Sequence, residues 1–256
     1  MKPLIAVLMF FVCVCGAMGQ ERGHFDPKTS YSVFAAYSND SSHMMLGVSE
    51  DRRLFETGVD YSRRLGGRSI YSWRYQVEVI PLELLQNPKM TTTVINLLLG
   101  DPTSSDFPTG TIQYSSLQQR RCTSSSGSGT YFTLGENGQA IPVGTFTYTS
   151  VCSHPWTYGG GVSPLGQKVN FLPHGRVQPY LAANAGFVAF AGTVPLYAAT
   201  MFNFSFEFGG GVEWNARAGH AWSLDYRYHH ISNAGRGLAN PGVDNGTFRL
   251  AHTFWP

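Results

Sequence analysis

Residues 202–214 read FNFSFEFGGGVEW. Phe202, Phe204, Phe206, Phe208, Val212 and Trp214 share one side of a two-residue period, and Asn203, Ser205, Glu207 and Glu213 share the other. That period belongs to a β-strand, whose successive side chains point to opposite faces. A soluble strand averages about five or six residues, whereas a strand tilted across a bilayer needs about 9 to 11. This segment has the longer length. The same alternation predicts eight strands, over 31–38, 43–49, 53–64, 70–84, 179–190, 202–214, 220–232 and 247–255. After residue 20 there is no apolar run long enough for a transmembrane helix. The pattern predicts an all-β fold, an eight-stranded antiparallel transmembrane β-barrel with its polar faces turned into a narrow, filled interior.

Residues 86–177 interrupt the alternation. They are rich in Ser, Thr, Gly and Pro (SSSGSGT, GENGQAIPVGT, WTYGGGVSPLGQ). This is too long for a hairpin turn and predicts an insertion between strands four and five. With both barrel ends in the periplasm, such an insertion would be periplasmic, where turns are usually short, so either it is a periplasmic extra or the count of strands before it is off. Phe146 and Tyr148 alternate with threonines, which predicts a small hairpin inside it.

Composition supports the membrane reading. Charged residues make up only 13% of the chain and aromatics 14%, with 29 glycines and a net charge of +2. So small and scattered a charge does not suggest nucleic acid, and no such partner is expected. The first residues, MKPLIAVLMFFVCVCGAMGQ, have a positive start, a short apolar stretch and a small-x-small site at Ala17-Met18-Gly19. They predict a signal peptide over 1–19, leaving 20–256 as the mature barrel domain. Export permits a disulfide between the remaining cysteines, Cys122 and Cys152. No residues stand at metal-ligand spacing, so neither metal nor cofactor is expected. Inward-facing Glu207 and Glu213 are expected to pair with Arg227, Arg74 or Arg249.

The candidate chemistry lies in YRYHHISNAGRGLANPGVDNGT, residues 226–247. Leu224, Tyr226, Tyr228, His230 and Ser232 share the outward side of the seventh strand, so His230 and Ser232 are neighbours on the lipid-facing surface. An idle polar group is costly there. A histidine beside a serine can take the hydroxyl proton and make a nucleophile. Asp244, in the next loop, can fold back to orient the imidazole. The Asn233 amide and the N–H groups of the NAG turn are candidate oxyanion donors. His229 points inward and is expected to be a packed lumen residue.

HHISNAG followed by NPGVD resembles the outer-membrane lipid A 3-O-deacylase family. GVDYSRRL, QPYLAANAGFVAF and FNFSFEFGGGVEW match in the same order. The resemblance implies a bacterial outer-membrane serine esterase that removes the 3-position acyl chain of lipid A. Its partners would be lipopolysaccharide in the outer leaflet and membrane lipid, and a homodimer is allowed. By the same resemblance Ser232 is the nucleophile, His230 the base, Asp244 the third member, and Asn233 and Gly235 line the oxyanion hole. The family acid is commonly glutamate, so Asp244→Glu is expected to be tolerated. The residues alone leave two other readings open: a non-catalytic structural or adhesive barrel, and an exported β-sandwich that binds a ligand.

Overall fold

A computed structural model of the chain describes residues 25–41, 44–98 and 110–256. The expected signal peptide lies outside the described residues. Eight strands close into one antiparallel barrel in the order β1-β12-β11-β10-β9-β8-β3-β2. They are β1 (Thr29–Ser38), β2 (Leu54–Arg68), β3 (Tyr71–Gln86), β8 (Trp156–Phe171), β9 (Val177–Val194), β10 (Thr200–Arg217), β11 (His220–Ser232) and β12 (Val243–Phe254). Four more, β4 (Lys89–Leu98), β5 (Gly110–Leu117), β6 (Ser125–Leu134) and β7 (Ala140–Ser153), form a separate sheet in the order β5-β4-β7-β6.

The alternation sets the two faces of the wall. On β10, Phe202, Phe204, Phe206, Phe208 and Trp214 are exposed, while Asn203, Ser205, Glu207, Glu213 and Asn215 are buried. On β1, Tyr31, Val33 and Tyr37 face out, while Ser30, Ser32 and Ser38 face in. A water-soluble sandwich would bury those aromatics instead. An apolar outside around a polar, filled inside is the build of a bilayer-spanning barrel. Arg227 and Arg249 cross-link the lumen: Arg227 bonds Glu78, Glu207 and Asp225, and Arg249 bonds Glu78 and Asp60. The expected Glu207–Arg227 pair is present at 3.1 Å, whereas Glu213 pairs with Lys168 at 2.7 Å.

One expected strand is not formed, and one unexpected strand takes its place in the barrel. Of 43–49, residue 43 lies outside the described residues, and 44–49 are part of the β1–β2 connection, touching β12 through the isolated bridge Ser49↔Val243. The missing barrel strand is β8, inside what reads as the insertion. Its Gly and Pro residues masked it. Pro164 is admitted because both ladders are irregular there, between Gln76 and Glu78 toward β3 and between Val162 and Leu165 toward β9. A proline tolerates a strand only at such a bulge or an edge. The insertion therefore follows the third barrel strand and lies at the opposite rim from the one expected. One rim carries only the short turns between β2 and β3, β8 and β9, and β10 and β11. The other carries residues 39–53, the insertion, 195–199 and 233–242. Short turns face the periplasm and long loops the exterior, so the β4–β7 sheet is extracellular.

Cys122 and Cys152 form a disulfide that ties the segment before β6 to β7. Arg52 fastens the base of this sheet to the barrel. It donates to the carbonyls of Gln118, Gln119 and Pro195 and to Asn87 Oδ1. Burial pushes its guanidinium down to about 10, which leaves it charged at neutral pH. Membrane integration has a direct check. The protein should stay in the membrane pellet through alkaline carbonate and migrate differently on a denaturing gel before and after boiling. Quantitative release into the aqueous phase would remove the barrel assignment.

Candidate active site

β11 carries its outward residues up to the exterior rim. Trp222, Leu224 and Tyr226 are exposed to the surroundings of the barrel, but Tyr228, on the same face, is only 5% exposed. The reversal marks the point where the β1–β2 connection folds over the wall. There β11 and β12 are paired in register with His230 opposite Asp244. Directly opposed residues project from the same face. His230 Nδ1 lies 2.7 Å from Asp244 Oδ1.

Asp244 is held from three more directions. The Tyr228 hydroxyl donates to Oδ1 at 2.8 Å. The backbone N–H groups of Met45 and Leu46 donate to Oδ2 at 2.8 and 2.9 Å. The carboxylate is wholly buried, and such charge-assisted bonds are what keep a buried carboxylate ionised and oriented. The connection approaches so closely because residue 47 is glycine: a Cβ there would stand 2.7 Å from both the Asp244 nitrogen and Oδ1. With Asp244 accepting at Nδ1, the neutral imidazole carries its proton on that nitrogen and turns the Nε2 lone pair to the other side.

Ser232 follows two residues beyond His230 on the same face, at the end of β11. Its in-register partner on β10 is Phe204, and that of His230 is Phe206. The serine and histidine are thus flanked by the half-exposed phenylalanine stripe. Among the described residues no hydrogen bond links the Ser232 hydroxyl to the imidazole. Contacts of this kind often tighten only around substrate. Beyond Ser232, Asn233 is 1% exposed. Its amide donates to Ala239 O at 2.8 Å, and its Oδ1 accepts the Gly235 N–H at 2.9 Å. Ala234 and Gly235 both take positive φ, 51° and 77°, to make this turn. The Gly235 N–H is therefore spent within the turn, while the Asn233 amide keeps one N–H beyond the bond to Ala239. At the turn's outer edge the Arg236 guanidinium stacks 5.0 Å above the Phe204 ring.

The structure thus brings His230 and Asp244 into contact, sets Ser232 beside them on the outward face, and binds Asn233 and Gly235 to each other. His229 faces the lumen, its Nε2 2.8 Å from Ser205 Oγ. Sequence reasoning passes over Tyr228 and the Met45–Gly47 backbone. The tyrosine had a usable signal, being two residues before His230 on one face. The backbone donors had none, because a contact between residues so far apart in the chain leaves no local pattern. Cys122, Cys152 and His154 lie close enough together to hold a metal. The two thiols are joined as a disulfide and His154 is bonded to Asp51, so that group offers no thiolate.

The family model "Lipid A 3-O-deacylase (PagL)" matches residues 124–253, just over half of the chain. No curated protein matches the sequence. Among solved structures the chain is similar to the outer membrane enzyme PagL, at 13% identity and a TM-score of 0.46, covering 88% of this chain and 99% of that one. It is similar also to Neisserial surface protein A (12%, TM-score 0.41, covering 89% and 97%). A third is Ail, the attachment invasion locus protein of Yersinia pestis (11%, TM-score 0.34, covering 88% and 96%). The closed barrel, its apolar wall and the family match make this an outer-membrane protein. The matched span contains Ser232, His230, Asp244 and the whole of the turn between them, and the chain belongs to the lipid A 3-O-deacylase family.

Proposed function

We propose that the chain is a serine esterase that hydrolyses an ester-linked acyl chain of lipid A, at the 3-position, from the outer leaflet. Residues 1–19 serve as its export signal. The observation that carries this reading is the 2.7 Å His230–Asp244 contact on the outward wall, with Ser232 next along the same strand face.

The chemistry follows from that placement. Asp244 fixes the imidazole tautomer, so Nε2 accepts the Ser232 proton as Oγ attacks the ester carbonyl. The carbonyl oxygen becomes an oxyanion, for which the remaining N–H of the Asn233 amide is the donor. Gly235, by donating to Asn233 Oδ1, holds that amide in place rather than serving as a second donor. Collapse breaks the bond to the sugar oxygen, which leaves with the proton carried by His230. The acyl group stays on Ser232. Water, deprotonated by His230, then releases the fatty acid and restores the hydroxyl.

The wall supplies the binding. An acyl chain lying along the barrel meets Phe204 and Phe206 beside the reacting pair, and Arg236 at the rim suits an anionic headgroup. Lipid A from cells carrying the intact protein should show, by mass spectrometry, loss of one ester-linked acyl chain. Unaltered lipid A, with the folded barrel present in the outer membrane, would sink this reading.

A further inference from the structure

Behind His230, inside the lumen, four groups converge from two pairs of strands on opposite walls. Glu56 and Glu83 are in-register partners on β2 and β3, and Glu207 and His229 are in-register partners on β10 and β11. The barrel order sets these two pairs across the lumen from one another. All four side chains are essentially inaccessible, at 1%, 0%, 2% and 1% exposure. Ligating atoms of Glu56, Glu207 and His229 lie within 4.8 Å of one another.

Their polar atoms are short of partners. Glu56 Oε2, both Glu83 carboxylate oxygens and His229 Nδ1 are buried without a hydrogen-bond partner among the described residues. The lumen arginines are committed lower in the barrel. Arg249 holds Glu78 and Asp60, and Arg227 holds Glu78, Asp225 and one oxygen of Glu207. Among the described residues, no salt bridge reaches Glu56 or Glu83. Glu56 and Glu83 set two carboxyl groups beside Glu207 with no salt bridge of their own, so like groups crowd together and polar atoms lie buried without partners, and both are costly. A cation at their centre would remove both costs.

We propose that Glu56, Glu207 and His229, with Glu83 as fourth donor, form a binding site for a divalent first-row metal ion of the zinc or manganese class. The donor set suits such an ion: imidazole favours zinc, carboxylates favour manganese, and there is no soft sulfur ligand. Donors around a bound zinc stand about 3.3 Å apart, so side-chain rotation of roughly an ångström closes the present spacing. The Ser205 hydroxyl against His229 Nε2 already orients the ring, as an outer partner of a metal-bound histidine does. The ion would tie β2 and β3 to β10 and β11 across the lumen, one residue behind the proposed base. Sequence spacing cannot reveal this site, because its members come from four strands and meet only when the barrel closes.

The test uses the untagged full-length protein, folded in detergent with Zn2+ and washed with EDTA. Metal content is read by elemental mass spectrometry, and stability by thermal unfolding with and without Zn2+. The expected result is close to one Zn2+ per chain and a higher Tm with the metal. Glu56→Gln and His229→Gln should each bring retained Zn2+ down at least tenfold and abolish the metal-dependent part of the Tm. Folding of each variant is checked by its heat-modifiable mobility. Three outcomes overturn the proposal: no Zn2+ retained by the intact protein, the same content in both folded variants, or a Tm raised by Glu56→Gln with no metal response. The last would mark a cluster that relieves repulsion by sharing protons. If neither variant folds, the metal content of the intact protein decides.

Discussion

Ser232→Ala is expected to lower lipid A deacylation by about 10⁴-fold or more while leaving the barrel intact. The substitution deletes one hydroxyl from the end of β11, where the side chain is half-buried and meets the outward face rather than the packed lumen. Nothing structural depends on it among the described hydrogen bonds, so heat-modifiable mobility should be unchanged. His230→Asn should cause a comparable loss, and the double variant should be no worse than either single one. A nucleophile and its base act as a unit, so their removals do not add. The measurement is initial rate on purified lipid A in detergent, with product identified by mass. A folded Ser232→Ala protein working at near-normal rate would take Ser232 out of the site and leave the His230–Asp244 pair without the chemistry assigned to it. An activity lost together with the gel shift would mean only that the barrel had failed to form, so the two readings are taken on the same preparation.

The parts of this molecule that alternate were legible in its sequence. β10 and β11 follow from their phenylalanine, tryptophan and tyrosine spacing alone, and so does the outward placement of His230 and Ser232. The pattern fails where the barrel's interior takes over. On β8, Gly159, Gly160, Gly161 and Pro164 carry no apolar signal, because tight curvature and a bulge are what that strand needs. With 43–49 in place of β8 the alternation still totals eight strands, but the insertion then falls after an even number of them and on the periplasmic side. The site was legible to the same degree. Its outward pair follows from a two-residue period, and Asp244 from the need for a carboxylate nearby. The clasp around Asp244 depends on a connection that doubles back across the wall, and no period records such a path. The lumen carboxylates face the same obstacle: each looks like an ordinary inward residue until four strands bring them together.

Asp244→Asn should keep the fold and lower the rate by about 10² to 10⁴-fold. Asparagine fills the same space, but its amide cannot stabilise the imidazolium that forms when His230 takes the serine proton. An amide nitrogen placed toward the Met45 and Leu46 N–H groups would oppose two donors. The opposite orientation would set that nitrogen against His230 Nδ1 and the Tyr228 hydroxyl. The glutamate substitution separates resemblance from structure. By family pattern Asp244→Glu should be harmless. Here Oδ2 is seated on two backbone N–H groups, and Oδ1 already approaches the position a Cβ on Gly47 would occupy to 2.7 Å. One more methylene has to push the carboxylate off those donors or push residues 45–47 away from β12. Asp244→Glu is therefore expected to lose about ten-fold or more in kcat with a small change in KM, since the acyl chain binds the wall and not the acid. Tyr228→Phe removes a single bond to Oδ1 and should fall between the intact protein and Asp244→Asn. A fully active Asp244→Glu with a normal gel shift would show that the Met45–Gly47 clasp does not set the position of the acid.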